Sequence, residues 1–188
     1  MPMKLVIILL CTLFSGVLYA NDAANGTAWA AWREGKAVLI MRHALAPGTG
    51  DPAGFELADC STQRNLNNQG RQQAKAFGEL LRQQVAEDIA VYSSQWCRCL
   101  ETAELMAIAK VQAMPALNSF FAGQGDRQQQ TTALVQRFSL SKLPAPTVLV
   151  SHQVNFTALT GYFPASGEAA ILALPLTTPA TVLARIMP

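Results

Sequence analysis

Short apolar runs alternate along the chain with longer stretches that carry apolar residues at helical spacing. A continuous apolar run of three to six residues is typical of a strand buried in a parallel sheet. Such runs predict strands at residues 37–41, 89–92, 147–150 and 169–174, and we also expect a weak strand at 111–113 and a closing strand at 181–186. Helical spacing and position predict helices at 69–84, 97–109 and 130–138, with a short helix that ends near residue 160.

Strands that alternate with helices predict an α/β fold, a three-layer α/β/α sandwich with a mainly parallel central sheet. The chain has 188 residues, 51% hydrophobic and 14% charged, which suits one globular domain. Two long loops are expected: one rich in Gly and Pro that runs from residue 46 to about 67, and one at 118–130. Residues 21–35 are small and polar with two tryptophans, and we expect them to form a surface lead-in.

The first 20 residues resemble a secretory signal peptide. Lys4 precedes an apolar segment at 5–18, and Leu18-Tyr19-Ala20 resembles a cleavage site. The segment is short for a membrane-spanning helix, which needs roughly 20 apolar residues. We therefore expect cleavage of residues 1–20, a single domain at 21–188 and no stable membrane anchor, with an uncleaved anchor as the alternative.

Net charge and cysteine spacing limit the partners, metal sites and disulfides that this chain can have. The net charge of +2 comes without basic runs, so no nucleic-acid partner is expected. Export would leave Cys60, Cys97 and Cys99 in an oxidising compartment, where one of the three must stay unpaired or pair between molecules. Their spacing does not suit zinc, and no metal is expected. A Cys60–Cys97 disulfide would tie the first loop to the helix after the second strand, with Cys99 as the competing partner.

Both histidines of the chain directly follow predicted strands, in Arg42-His43-Ala44 and in Ser151-His152-Gln153. Ligand sites of open α/β sheets lie at the carboxyl ends of the strands. We therefore expect the two imidazoles and Arg42 to share one rim of the sheet. Histidine can form a covalent intermediate, and arginine suits a bidentate contact with phosphate.

Three segments together resemble the histidine phosphatase superfamily, in its phosphoglycerate-mutase-like branch. They read LIMRHA at residues 39–44, SSQWCRCLETA at 93–103 and VSH at 150–152. The run LNNQGRQQA at 66–74 is similar to the family's helix start after the first loop, and the likeness spans residues 38 to about 174. Three segments in the family's order, each at a strand end, make the resemblance specific.

The resemblance implies a role for each matching residue. His43 would be the nucleophile that accepts the phosphoryl group, and Arg42 and Arg98 would grip its oxygens. His152 would bind the same group and stabilise the transition state, and Arg64 is a candidate for substrate recognition. Guanidinium groups and imidazoles would supply the positive field, so no cofactor is expected.

The sequence departs from the family pattern at three positions. Ala44 stands where glycine is usual, Gln153 follows the second histidine in place of a frequent glycine, and Ser119 stands where a catalytic Glu is often found. Serine cannot act as a general acid at ordinary pH. Asp126 is the candidate acid, and Asp51 and Glu56 are the alternatives.

The resulting expectation is a periplasmic, metal-independent phosphomonoesterase that acts through a phosphohistidine on His43. Its substrate would be a small phosphorylated compound, and the analogy with envelope enzymes of this family points to a phosphorylated sugar of the lipopolysaccharide core. The competing hypothesis is a phosphate-binding module of the same fold without turnover, and the Ser119 departure is its basis.

Overall fold

The computed structural model describes residues 25–84 and 88–187. The expected signal peptide at 1–20 lies outside the described residues. The described chain forms one six-stranded sheet in the order β3-β2-β4-β1-β5-β6. The strands are β1 Ala37–Arg42, β2 Ala90–Ser93, β3 Val111–Ala113, β4 Thr147–Ser151, β5 Ala169–Ala173 and β6 Val182–Ile186.

The sheet is mixed and mostly parallel. Strands β1, β4, β2 and β3 pair in parallel, whereas β5 pairs antiparallel with β1 and β6 antiparallel with β5. The two strands that precede the histidines are direct neighbours, and Arg42 is in register with Ser151. The next residue on each strand is a histidine, so the pairing itself brings His43 and His152 to the same rim.

Helices cover both faces of the sheet, which confirms the predicted sandwich. Residues 25–33 belong to α1, and the other helices are α2 Asn68–Gln84, α3 Cys97–Leu105, α4 Arg127–Arg137 and α5 Gln153–Thr160. Side chains of α1, α2 and α3 pack on the face that carries Leu39 and Val148. Those of α4 and α5 pack on the face that carries Ile40 and Leu149.

The expectation of a surface lead-in at 21–35 is wrong for the described residues. Residues 25–33 are helical, and Trp32 is fully buried in the core. Its indole N–H donates to the carbonyl oxygen of Thr147 on β4, at 2.9 Å. Ala28 and Trp32 lie four positions apart and are both buried, so the spacing of a short amphipathic helix was present in the sequence.

Two helix boundaries differ from prediction for identifiable reasons. Helix α3 ends at Leu105 rather than near 109, and Ala107 adopts a left-handed backbone (φ 51°) that a helix cannot continue through. Helix α4 begins at Arg127 rather than 130, because the carboxylate of Asp126 accepts a hydrogen bond from the backbone N–H of Gln129 and caps the helix.

The first long loop is anchored at both of its ends. Gly70 on α2 packs directly on the carbonyl of Leu45, where a Cβ atom would clash. Cys60 and Cys97 lie with their sulfurs 2.01 Å apart, at bonding distance, so the predicted disulfide ties the loop to the start of α3. Cys99 is a buried free thiol.

No helix within 25–84 and 88–187 is both long and apolar enough to cross a membrane.

Candidate active site

The candidate site lies where β1 and β4 end side by side. The backbone N–H of His43 donates to the carbonyl of Ser151 at 2.8 Å, which extends the strand pairing by one residue. The two imidazole rings stand edge to face with centroids 5.5 Å apart, and both side chains are buried. Ala44 is buried and keeps a negative φ, so alanine in place of the usual glycine introduces no backbone strain.

His43 is held in a single tautomer. Its Nδ1 lies 2.8 Å from the carbonyl oxygen of Ala44. Since a carbonyl can only accept, Nδ1 carries the proton and Nε2 keeps its lone pair. Burial, reinforced by the positive charge of Arg98, holds the pKa of His43 well below the ordinary value of 6.5. The imidazole is therefore neutral at neutral pH, and its Nε2 is a nucleophile.

His152 takes the opposite tautomer. Its Nδ1 lies 3.3 Å from Nη2 of Arg98, which can only donate, so the ring proton sits on Nε2. That Nε2–H donates to the hydroxyl of Ser94 at 2.8 Å, and Ser94 in turn donates to Oδ1 of Asn118. Burial, together with the nearby His43 and Arg98, holds the pKa of His152 well below its ordinary value. The ring is thus neutral and its orientation is fixed by the hydrogen bonds to Arg98 and Ser94.

Arg98 and Asp51 form a buried ion pair beside the imidazoles. Both side chains are at most 3% exposed, and the guanidinium binds both carboxylate oxygens, at 2.7 and 3.2 Å. Asp51 also accepts hydrogen bonds from the backbone N–H of Arg64 at 3.0 Å and from the indole of Trp96 at 3.1 Å. Burial alone would raise the pKa of Asp51, but the hydrogen bonds from Arg98 and Arg64 outweigh it and the pKa is lowered. The carboxylate is therefore ionised and committed to holding Arg98.

Two further arginines line the same pocket. Arg42 donates from Nη1 to the carbonyl of Pro164 at 2.8 Å, and its guanidinium lies 5.7 Å from the centre of the Phe163 ring. Arg64 donates to the carbonyls of Gly50 and Ala46 in the first long loop. These contacts fix both side chains within the pocket wall.

Two arginine N–H groups at the site have no protein partner. The Nε atoms of Arg42 and Arg98 are buried and make no hydrogen bond to the described residues. A buried unpaired donor is costly, and one on a charged group more so. Both atoms are shielded from solvent, so what the pocket offers an anion is the positive charge of the guanidinium groups rather than these two N–H groups. Helices α3 and α5 also begin at this rim, and their N-terminal ends favour negative charge.

The structure does not bring every sequence candidate together. His43, Arg42, Arg98, His152 and Arg64 all line one pocket, together with Asp51 and Ser119. Asp126 does not: its exposed carboxylate caps α4, so the expectation that it reaches over the pocket as the acid is not supported by its position. Glu56 is exposed in the first loop and is likewise absent from the lining.

Several supporting residues were not identified from the sequence. Trp96, Ser94 and Asn118 hold the side chains of Asp51 and His152. Thr102 on α3 accepts from the backbone N–H of Ala44 and donates to the carbonyl of Arg98, which fastens the two motifs together. All but Asn118 lie inside the segment 93–103 that carried the family likeness, and this clustering was the available signal.

The free Cys99 sits against His152, with its sulfur 3.4 Å from Nε2 and 3.6 Å from the carbonyl of Ser151. Burial raises the pKa of the Cys99 thiol to about 12. The group is therefore a neutral thiol that packs against the second histidine.

No cluster of three or more His, Cys, Asp or Glu side chains with metal-binding geometry occurs among the described residues.

Comparison with known proteins identifies the class. A family model described as "Histidine phosphatase superfamily (branch 1)" matches residues 38–141, more than half of the chain. The chain belongs to this family, and membership supports phosphatase activity. A comparison with curated proteins finds no match.

Solved structures show the same fold. The protein histidine phosphatase SixA complexed with tungstate is 20% identical, with a TM-score of 0.58 over 81% of this chain and 97% of that chain. Phosphoserine phosphatase from Entamoeba histolytica, in complex with 3-phosphoglyceric acid, is 12% identical, with a TM-score of 0.56 over 81% and 97%. A mycobacterial glucosyl-3-phosphoglycerate phosphatase in complex with VO3 is 14% identical, with a TM-score of 0.54 over 78% and 97%.

The Asp51–Arg98 pair leads to a pH-dependent prediction. Asp51→Asn keeps the shape but leaves a buried guanidinium without its counter-charge, and we expect it to lower the free energy of unfolding at pH 7 by about 3 kcal/mol. Because the folded pKa of Asp51 is lowered, its stabilisation is present above the ordinary value of 3.8 and is lost as the pH falls through the folded pKa. Denaturant unfolding from pH 7 to pH 3 measures this.

Asp88→Asn, the same change at an exposed aspartate, is the control and should alter stability by less than about 0.5 kcal/mol. The gap between wild type and Asp51→Asn should narrow in acid. A gap that stays constant from pH 7 to pH 3 would show that the ionised carboxylate does not stabilise Arg98.

Proposed function

We propose that this protein is a phosphatase that transfers a phosphoryl group to Nε2 of His43 and then to water. The observation that carries the proposal is the tautomer of His43: Nδ1–H is bonded to Ala44, which leaves the Nε2 lone pair available. The pocket around it is lined by the guanidinium-bearing residues Arg42, Arg64 and Arg98. A neutral nucleophile among fixed cations suits attack on a negatively charged phosphate.

The proposed reaction has two steps. The guanidinium groups of Arg42 and Arg98 attract the phosphate and stabilise the negative charge on its equatorial oxygens in the transition state. A bond forms between Nε2 of His43 and phosphorus while the bond from phosphorus to the leaving atom breaks, and the electron pair goes to that atom. Water then attacks phosphorus, the P–N bond breaks, and inorganic phosphate leaves.

His152 and Arg64 have supporting roles in this proposal. His152 accepts from Nη2 of Arg98 and so orients the guanidinium towards the substrate. Direct stabilisation of the transition state by His152 would require its Nε2–H to exchange Ser94 for a phosphate oxygen. Arg64 adds positive charge at the loop side of the pocket.

We further propose that the enzyme is exported to the periplasm and needs no metal. The signal-peptide pattern at 1–20 supports export, and a Cys60–Cys97 disulfide suits an oxidising compartment. The arginines of the pocket supply the positive charge that a metal ion provides in other phosphatases. A small phosphorylated substrate agrees with the pocket, and a phospho-sugar of the cell envelope is the candidate from the family analogy.

Replacing His43 tests the nucleophile. His43→Ala should abolish turnover of an aryl phosphate, because the reaction loses its covalent intermediate. His152→Asn, at the other histidine of the chain, should slow turnover but still allow label to accumulate on His43. Rapid quench with 32P-labelled substrate should trap an acid-labile phosphoenzyme in wild type.

Turnover in wild type without a labelled intermediate, or full activity in His43→Ala, would refute the mechanism. Binding of phosphate without turnover of the aryl phosphate would favour the alternative of a phosphate-binding module. An aryl phosphate suits the choice between them, since its leaving group departs with little help from an acid.

Chelation tests the proposed metal independence. Dialysis against EDTA should leave kcat and KM for the aryl phosphate unchanged, because charge stabilisation comes from Arg42, Arg98 and the histidines. Loss of activity that zinc or magnesium restores would contradict this part of the proposal.

A further inference from the structure

Two aromatic side chains lie at the candidate active-site pocket. Phe121 and Phe163 line it together with Val154. The two rings are 42% and 68% exposed, and both of the strongly exposed aromatic side chains of the described chain are at this one place. Exposed apolar area that is concentrated beside a polar pocket marks a binding surface for an apolar group.

Both rings are held in position by pocket residues. The Phe163 ring lies over the guanidinium of Arg42, 5.7 Å from ring centre to guanidinium carbon. Phe121 opens a short 3-10 turn, Phe121–Gly123, and its backbone N–H donates to the hydroxyl of Ser119 at 3.2 Å. Its ring edge lies against Gly50 in the first loop. The two phenylalanines, which we call the aromatic rim, thus come from two separate segments of the chain that meet at one pocket.

The acid–base chemistry of the pocket limits the leaving group. Asp51, the carboxylate in the pocket lining, is ionised and accepts four hydrogen bonds, so it has no proton to donate. Ser119 stands where the resemblance led us to expect an acid, and its hydroxyl oxygen accepts from Phe121. A strongly basic alkoxide, such as that of a sugar, departs slowly without a proton from an acid. A leaving group of low basicity departs as it is.

We propose, on the basis of the phosphatase function above and in place of the phospho-sugar that the family analogy suggested, that the substrate carries its phosphoryl group on a planar aromatic ring, which Phe121 and Phe163 contact. Two chemical sources share this property: an aryl phosphate with phosphorus on a phenolic oxygen, and an N-phosphorylated imidazole. In either case the Nε2–P bond forms as the old bond to phosphorus breaks. A phenoxide keeps the electron pair and takes a proton from water, whereas an N-phosphorylated imidazole that is protonated on its second ring nitrogen releases neutral imidazole, which takes up no proton at the atom that leaves.

Four probe compounds separate the effect of leaving-group basicity from the effect of an aromatic ring in the substrate. Phenyl phosphate has an aromatic leaving group of low basicity, and so does phosphoimidazole when its second ring nitrogen is protonated. Acetyl phosphate has a leaving group of low basicity without a ring, and glucose 6-phosphate has a basic alkoxide. We expect kcat/KM for both aromatic compounds to exceed that for glucose 6-phosphate by at least about 100-fold, the lower contribution of a general acid. The better of the two aromatic compounds identifies the source.

Variants of the rim test the role of the rings. The double variant Phe121→Ala/Phe163→Ala should raise KM for phenyl phosphate and phosphoimidazole by about 10-fold. It should lower kcat/KM for acetyl phosphate by a clearly smaller factor, which measures only the contact between Phe163 and Arg42. Leu140→Ala/Leu183→Ala removes two exposed apolar side chains that are absent from the pocket lining, and it should change neither.

Two outcomes overturn the inference while the phosphatase function stands. One is hydrolysis of glucose 6-phosphate with a kcat/KM equal to that of the aromatic compounds, which would favour a phospho-sugar. The other is an equal loss on acetyl phosphate and phenyl phosphate in the double variant, which would assign the phenylalanines to pocket shape alone. Absence of turnover with all four probes would instead refute the proposed function itself.

Discussion

The buried ion pair between Asp51 and Arg98 is the interaction on which the candidate site depends. One carboxylate accepts four hydrogen bonds from three residues, and these residues belong to the first long loop and to the start of α3. Through Arg98 the same network reaches Nδ1 of His152 at the end of β4. Two segments that are far apart in sequence thus share one electrostatic anchor, and the Cys60–Cys97 disulfide joins them covalently nearby.

The anchor leaves the pocket short of negative charge. Asp51 neutralises Arg98, but Arg42 and Arg64 add further positive charge to the pocket. Burial lowers the pKa of both arginines, because a buried site disfavours the charged form of a side chain. The imidazoles respond by staying neutral, as their lowered pKa values indicate. The same environment that leaves His43 with a free Nε2 lone pair also suits an anion such as phosphate, because three arginines line the pocket.

Much of the fold and the centre of the site could be predicted from the sequence. Continuous apolar runs locate β1, β2, β4 and β5, and the rule that parallel strands end at one edge brings His43 and His152 together. What the sequence pattern missed depends on local polar geometry. Asp126 directly precedes residues that form α4, and an aspartate in that place is a favoured N-cap, so its carboxylate is used by the helix. The role of Asp51 depends on a loop conformation that no periodicity encodes.

The same reasoning explains the error at the start of the domain. Residues 25–33 read as polar and small, yet Trp32 is drawn into the core because its ring fills the space beside β1 and β4 and its N–H finds the carbonyl of Thr147. The spacing of Ala28 and Trp32 was a local signal for the helix, but the hydrogen bond across 115 positions that places Trp32 in the core could not be predicted from the local pattern.

The central claim is that His43 is a neutral imidazole with its proton on Nδ1, poised to attack through Nε2. Nitrogen-15 NMR of histidine-labelled protein measures this directly, and because the chain has two histidines, the His152→Asn variant assigns the signals. The account predicts an Nδ1–H tautomer that does not become charged as the pH passes through 6.5, the ordinary histidine pKa. An Nε2–H tautomer, or a His43 that is protonated at neutral pH, would contradict it.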